Sequence, residues 1–387
     1  MSAVAIRHPG ELRWETRLLA VVTATLVVFG IASSYGAASF LTDRAGVNIG
    51  MSFALKQLSG AVAGGILLLI AARMDYHHWR RLAWPLLGIT VVALLIPLLP
   101  FTHRFAPSIH GARRWIDVGP VNFQPSELAR LAVVVWAATL AAKKGDQLRD
   151  FKRGVLPFVV VVGFVSLLIF LEPNLSMATL VAFVAGVVLF TAGAKIGHFL
   201  LLGGIGTVLI WHKIVDTQYR AARLLTFLNR DEASSQASFQ ITQSLVGMGS
   251  GRIVGVGFGA GQQKLGYLPF GYSDFLFSVI GEEWGFIGVC VVVFLFGLFV
   301  WLGFRIARTA PDALGQYLAA GITSAVGITA FLHMAVTLGL MPTTGLTLPF
   351  MSYGRSSLIM TLLGTGILIS VGRQRGKVPV VGKRGAR

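Results

Sequence analysis

Apolar segments long enough to cross a membrane recur along almost the whole of this chain, and that recurrence restricts its fold more than any other feature. The runs fall at about 18–42, 55–73, 82–102, 126–142, 154–171, 173–194, 196–213, 274–304, 313–341 and 346–372. A bilayer core takes about 20 consecutive apolar residues as one α-helix. Backbone amides in lipid must be satisfied internally, which leaves helices or closed barrels. Runs of this length predict an all-α, polytopic membrane protein with about ten spans. Composition agrees, because only 13% of the residues are charged, against about 25% in soluble domains. The net charge of +17 therefore reads as topology and contact with anionic membrane lipids, not as nucleic-acid binding. The single cysteine, Cys290, has no intrachain partner and reads as a small buried hydrophobe.

The basic residues orient the spans. The first run follows Arg7, Arg13 and Arg17 and is long for the apolar core of a cleaved signal peptide, so it predicts an uncleaved first span. With both termini cytoplasmic, Arg73, Arg80, Arg81, Lys143, Lys144, Arg149, Lys152, Arg153, Lys195, Arg305 and Arg308 lie inside, together with the basic ends. The outer cations concentrate in one long loop, where the positive-inside rule has less force. The chain reads as a single integral membrane domain over 1–387. It has a short cytoplasmic N-terminus (1–17), an extracytoplasmic loop between spans seven and eight (216–273) and a cytoplasmic tail (373–387).

Chemistry gathers on the outer side. The connection GARRWIDVGPVNFQPSE is rich in turn residues. Its Arg113 and Arg114 offer planar forks for phosphate or carboxylate, or serve as solvated neighbours of an interfacial Trp115. Glu127 and Arg130 then stand at i and i+3 on one helix face. They form either a structural ion pair that closes a polar gap between helices or the polar wall of a substrate cavity. Arg220, Arg223 and Arg230 recur among apolar residues as in an interfacial helix. The glycines of 247–261 resemble a phosphate cradle but lack its GK[ST] ending; they predict a loop whose backbone approaches a ligand.

The segment QQKLGYLPFGYSDFLFSVIGEEWGFIG places Lys264, Asp274, Glu282 and Glu283 at the mouth of an apolar run. Ionisable groups there are costly and mark function by default. Ser273 or Asp274 can also cap a helix beginning at Phe275, and a buried Glu282 or Glu283 needs a cationic partner. Pro342, Gly345, Pro349 and Gly354 imply broken backbone at membrane depth, buried in protein or lining a wet cavity. His333 reads as a satisfied core histidine.

GARRWIDVGPVNFQPSELARL, the 262–288 segment and GLMPTTGLTLPFMSYGRSSLI together resemble the signature regions of the SEDS family, the FtsW- and RodA-type polymerases of shape, elongation, division and sporulation. The ten-span hydropathy is similar over essentially the whole chain, and QQKLGYLP and GARRW are most like the FtsW division branch. The resemblance implies a peptidoglycan glycosyltransferase that polymerises lipid II at the outer face of the cytoplasmic membrane, at the division septum. It implies a class B penicillin-binding protein and other divisome proteins as partners. It makes Asp274 the catalytic residue, as general base or as ligand of a divalent cation such as Mg or Mn. Substrate contacts are expected from Lys56, Arg113, Arg114, Glu127, Arg130, Lys264, Glu283, Ser352 and Arg355.

The chain departs from the family pattern at several points. Tyr272-Ser273 replace His-Thr, Arg355 replaces the second glycine of SYGG, and the PDLGT segment appears as Glu172-Pro173-Asn174-Leu175-Ser176-Met177. An acidic residue near Phe270 and an asparagine near His333 are missing. Three other functions compete: a lipid II flippase, since broken helices and charges at depth suit transport; an elongation (RodA-type) polymerase; and an inactive scaffold, which the departures motivate.

Overall fold

The computed structural model describes residues 14–40, 50–102, 104–108, 112–119, 121–216, 221, 223–224, 227–228 and 236–374. Most of the basic N-terminus and tail, and Arg220 and Arg230 of the expected interfacial helix, lie outside the described residues.

The long helices follow the apolar runs: α1 (Trp14–Ala38), α2 (Gly50–Arg73), α3 (His78–Leu98), α4 (Pro125–Lys144), α5 (Leu156–Leu171), α6 (Leu175–Thr191) and α7 (Ile196–Val215). After α8 (Gln236–Ser250) come α9 (Leu276–Arg308), α10 (Ala313–Thr337) and α11 (Arg355–Arg373). Among the described residues nine helices are long and apolar enough to cross a membrane. The tenth expected run is α6, of 17 residues, at the short end of the spanning range of about 17–25. The chain is an all-α, multi-pass membrane protein, with one antiparallel hairpin of β1 (Ile116–Val118) and β2 (Val121–Phe123) leading into α4.

The last apolar run, expected to be helical from residue 346, becomes helix only at Arg355. Gly345 and Phe350 take left-handed φ values of 70° and 66°, and Pro349 cannot donate a helical hydrogen bond. Cys290, expected to be buried, is exposed on α9.

α4, α10 and α11 carry the most buried faces. α2 lies on α11 through small residues. A Cβ on Gly64 would stand 2.6 Å from Leu362, and one on Gly366 2.5 Å from the Leu68 carbonyl. Close packing at small residues drives association of helices in lipid, where apolar burial is no gain. α7 has no buried residue and stands at the margin of the bundle. At the end carrying the 74–77 turn, Tyr76 donates to Asp312 (2.9 Å) and His77 lies between Asp75 (2.7 Å) and Asp312 (3.0 Å). There Arg305 pairs with Glu15.

α9 is broken at Gly285 (φ 64°, ψ −163°). The glycine-rich stretch fills the break. Val256 N–H donates to Glu282 O (3.0 Å) and Gly257 N–H to Glu283 O (3.1 Å). In return, Phe286 N–H donates to Arg252 O (2.9 Å) and Ile287 N–H to Ile253 O (3.1 Å). Non-helical backbone at membrane depth persists only where protein satisfies it. A Cβ on Gly251 would come within 1.9 Å of Gly281 O, and one on Gly255 within 2.1 Å of Glu283 O. The glycines therefore bring backbone against α9, whereas the sequence predicted approach to a ligand.

Candidate functional site

Three irregular stretches meet beyond the helix ends: 172–175, 270–275 and 343–354. The middle one is a tight turn on Phe270, whose carbonyl accepts from Ser273 N (3.0 Å), Asp274 N (2.9 Å) and Phe275 N (3.4 Å). Phe270 takes φ 59°, a left-handed value uncommon outside glycine. The turn is tied to the stretch before α11. Tyr353 N–H donates to Tyr272 O (3.0 Å), and the Ser352 hydroxyl donates to Ser273 O (2.6 Å) while accepting from Leu348 N (2.9 Å). Gln57 of α2 grips the same loop, donating to Ser352 O (3.0 Å) and accepting from Gly354 N (3.1 Å). Ser352, expected to contact substrate, spends its hydroxyl on joining two loops.

This scaffold presents Asp274. The N-cap of α9 is Phe275, and no side chain caps the helix, so Asp274 does not have the capping role open to it from sequence. Its carboxylate lies beside Gly345, where an added Cβ would be 3.6 Å from Oδ2. Burial raises its pKa above the ordinary aspartate value, and a Ser273 hydrogen bond and the charges of Arg223 and Arg114 oppose the rise. Both guanidiniums are anchored on carbonyls: Arg223 on Thr343 O (3.1 Å), Arg114 on Glu172 O (3.0 Å) and Pro173 O (2.5 Å). Each of the two outer stretches thus anchors one arginine whose charge acts on the aspartate of the third.

Several of the departures from the family pattern have structural accounts. Tyr272 joins Phe53 and Tyr353 in an aromatic cluster with centroids 4.5–5.8 Å apart. Burial, with Asp274 and Tyr353 nearby, raises the Tyr272 phenol pKa. Asn174 caps α6 by accepting from Met177 N (3.3 Å), which an aspartate would also do. The Ser176 hydroxyl donates to Thr344 O (2.8 Å), binding α6 to the Gly345 loop. Arg355 lays its stem over Gly60, whose added Cβ would be 3.2 Å from Arg355 Cγ.

The remaining expected residues lie apart from Asp274. Arg113 donates to Ala106 O (3.0 Å), Leu99 O (3.2 Å) and Thr102 Oγ1 (3.1 Å), fastening the chain beyond α3. Glu127 and Arg130 form a buried ion pair at 2.9 Å, and Arg130 also donates to Thr361 Oγ1 (3.1 Å). The pair is an ion pair within α4, and Arg130 also lines a small, mostly apolar cavity between α4, α10 and α11. Lys264 donates to Gly259 O and stands 4.6 Å from the Phe40 ring centroid. Glu282 accepts from Gln262 N (2.7 Å) and Gln263 N (3.2 Å), while Glu283 is buried against Gly36 of α1. Lys56 is exposed on α2. His333 has one ring nitrogen bonded to Leu346 O (2.8 Å) and the other without a partner, so it is half satisfied.

Sequence reasoning missed Arg223 and Gln57. Arg223 was masked by the amphipathic pattern around it. Gln57 left one signal, a lone amide inside an apolar helix. The charges of Arg223 and Arg114 act on the Asp274 carboxylate, and among the described residues no three His, Cys, Asp or Glu side chains gather to hold a divalent cation.

The FtsW, RodA and SpoVE family model, described as "cell cycle protein", matches residues 16–377. The probable peptidoglycan glycosyltransferase FtsW of Trichlorobacter lovleyi is 37% identical over 378 residues, covering 98% of each chain. Stage V sporulation protein E of Bacillus subtilis is 36% identical over 356 residues, 92% of this chain and 96% of that one. Among solved structures, a chain from "Structural coordination of polymerization and crosslinking by a peptidoglycan synthase complex" superposes with TM-score 0.74 at 30% identity. That match covers 92% of this chain and 97% of the other.

Proposed function

This chain belongs to the FtsW, RodA and SpoVE family of cell cycle proteins, and we propose that it is a peptidoglycan glycosyltransferase of the FtsW type that polymerises lipid II in cell division. The names of its relatives support the enzyme class. The observation that carries the mechanism is the uncapped Asp274, set on the Phe270 turn between two loop-anchored arginines. In this reading that end of the bundle faces outward at the septum, and both termini are cytoplasmic.

Lipid II brings its own leaving group, a diphosphate, so the protein must supply a base and cations. Asp274 takes the proton of the acceptor GlcNAc 4-hydroxyl as that oxygen bonds to the anomeric carbon of the donor MurNAc. The bond from that carbon to the diphosphate breaks with inversion, and the electron pair leaves on the phosphate oxygen. Arg114 and Arg223 stabilise the developing charge, in place of the wider set of cations that the sequence offered. Positioned charges of this kind commonly supply the largest share of catalysis. No step is routed through a metal. A class B penicillin-binding protein is the crosslinking partner, a pairing supported by the match to a peptidoglycan synthase complex.

The test uses purified protein with its penicillin-binding partner and labelled lipid II in detergent. Glycan ladders support the reading. Lipid II translocation in vesicles with no ladder overturns it in favour of transport.

The two neighbouring arginines of 113–114 and their distant relative separate role from scaffold. Arg223→Gln is expected to lower kcat/KM by about 10²–10³-fold, the scale for removing one positioned donor. Arg113→Gln, which unfastens a loop, should lower the melting temperature more than kcat. Equal kinetic losses in both would remove Arg223 from the site. Arg355→Gly should keep near-native polymerisation and cost about 1 kcal/mol of helix stability; a melting curve beside the ladder assay reads both.

A further inference from the structure

Glu172 ends α5 with 0% exposure, and among the described residues neither carboxyl oxygen has a hydrogen-bond partner. Its main-chain carbonyl, in contrast, accepts from Arg114 at 3.0 Å, and Arg114 also donates to Pro173 O at 2.5 Å. The charge of that same guanidinium also acts on Asp274. One arginine therefore serves two carboxyl groups, of which one belongs to the proposed reaction and the other is closed off from solvent.

A buried carboxylate without donors is costly, and a group so placed keeps its proton instead. Were Glu172 to ionise, its charge would draw on Arg114, the one cation among the described residues that acts on it. Asp274 would then lose much of one of the two charges acting on it, with Arg223 and the Ser273 hydroxyl left to hold it ionised and Tyr272 beside it.

We propose that Glu172 is a positioning residue that stays protonated in the working enzyme, so that the Arg114 charge remains available to Asp274 and to the substrate diphosphate. The proposal rests on the role given to Asp274 above. It involves no covalent step; the only exchange is loss of the Glu172 proton to solvent at high pH. Burial pushes the Glu172 carboxyl up to about 8, with Arg114 opposing. The sign follows: the proton is held below that pH and lost above it, so on the alkaline side activity declines as pH rises through about 8.

The experiment measures initial polymerisation rates with the purified complex and lipid II at pH values on both sides of about 8. The wild type is expected to lose activity above that point. Glu172→Gln keeps the shape without the charge; it should stay within about fivefold of wild type at neutral pH, a barrier change of less than one decade, and should not show the alkaline decline. A purely structural role would not move the profile. A flat wild-type profile overturns the proposal, and so does an alkaline decline that persists in Glu172→Gln. A loss of more than about tenfold at neutral pH in a folded Glu172→Gln protein overturns it too. Should the amide misfold, Glu172→Met, apolar and of similar volume, carries the same expectations, and the wild-type profile alone still decides. No glycan from the wild type at any pH sinks the parent reading and this proposal with it; glycan with a flat profile sinks this one alone.

Discussion

Asp274→Asn is expected to lower glycan polymerisation by about 10²–10⁴-fold, the usual worth of a general base, and to leave the protein folded. The amide matches the carboxylate in shape but cannot take the acceptor proton. Stability should hold because Asp274 caps no helix. Burial already opposes its charge, so a neutral side chain relieves a cost. Asp274→Glu should also fail, since Gly345 stands against the carboxylate and an extra methylene displaces it from the arginines. In the wild type the base must be ionised. Its pKa is raised by burial, so activity falls as pH drops through a point above the ordinary aspartate range, giving an acid limb that Asp274→Asn removes. Rates from labelled lipid II, paired with melting curves, decide the matter. A folded Asp274→Asn protein that polymerises within about tenfold of wild type would take Asp274 out of the base role.

Gly255→Val is expected to prevent folding. An added Cβ would lie 2.1 Å from Glu283 O and 2.4 Å from its carbon, and Gly255 sits at φ 85°. The obstacle is main chain inside the break of α9, which cannot swing aside as a side chain can. The change combines left-handed strain of about 1–2 kcal/mol with overpacking of about 1–3 kcal/mol. It also breaks hydrogen bonds that have no water to replace them. Gly257→Ala is the control. Its φ is 106°, but its Cβ would meet only Ala260, at 3.8 Å, so it carries the strain without the collision. Thermal unfolding followed by size-exclusion chromatography should show Gly257→Ala folded with a lowered transition and no folded peak for Gly255→Val. Equal behaviour of the two would mean that the glycine stretch does not seat in the break.

Particular residues mark where the sequence was legible. Apolar length announced the helices, because a membrane leaves backbone few options. Their ends were less legible: α11 begins nine residues later than the apolar run, since Gly345, Pro349 and Phe350 break the backbone without breaking the hydropathy. Asp274 was legible as an expensive charge at a helix mouth. Its partners were not. Arg113 and Arg114 are adjacent and chemically alike, yet one fastens the chain beyond α3 and the other holds the Glu172 and Pro173 carbonyls, from where its charge acts on Asp274. Arg223 resembled a lipid-interface residue until the Thr343 carbonyl was seen to hold it.

The sequence by itself determined the all-α membrane class and the family resemblance, and it marked Asp274 as a costly charge, because each depends on local chemistry: apolar length, motif spacing and the cost of a charge near lipid. Only the tertiary structure decided which cations reach Asp274, that Ser352 and Gln57 serve the scaffold, and that the glycine stretch repairs a broken helix. Those outcomes depend on which carbonyls three distant loops offer one another once folded, and spacing along the chain carries no record of that.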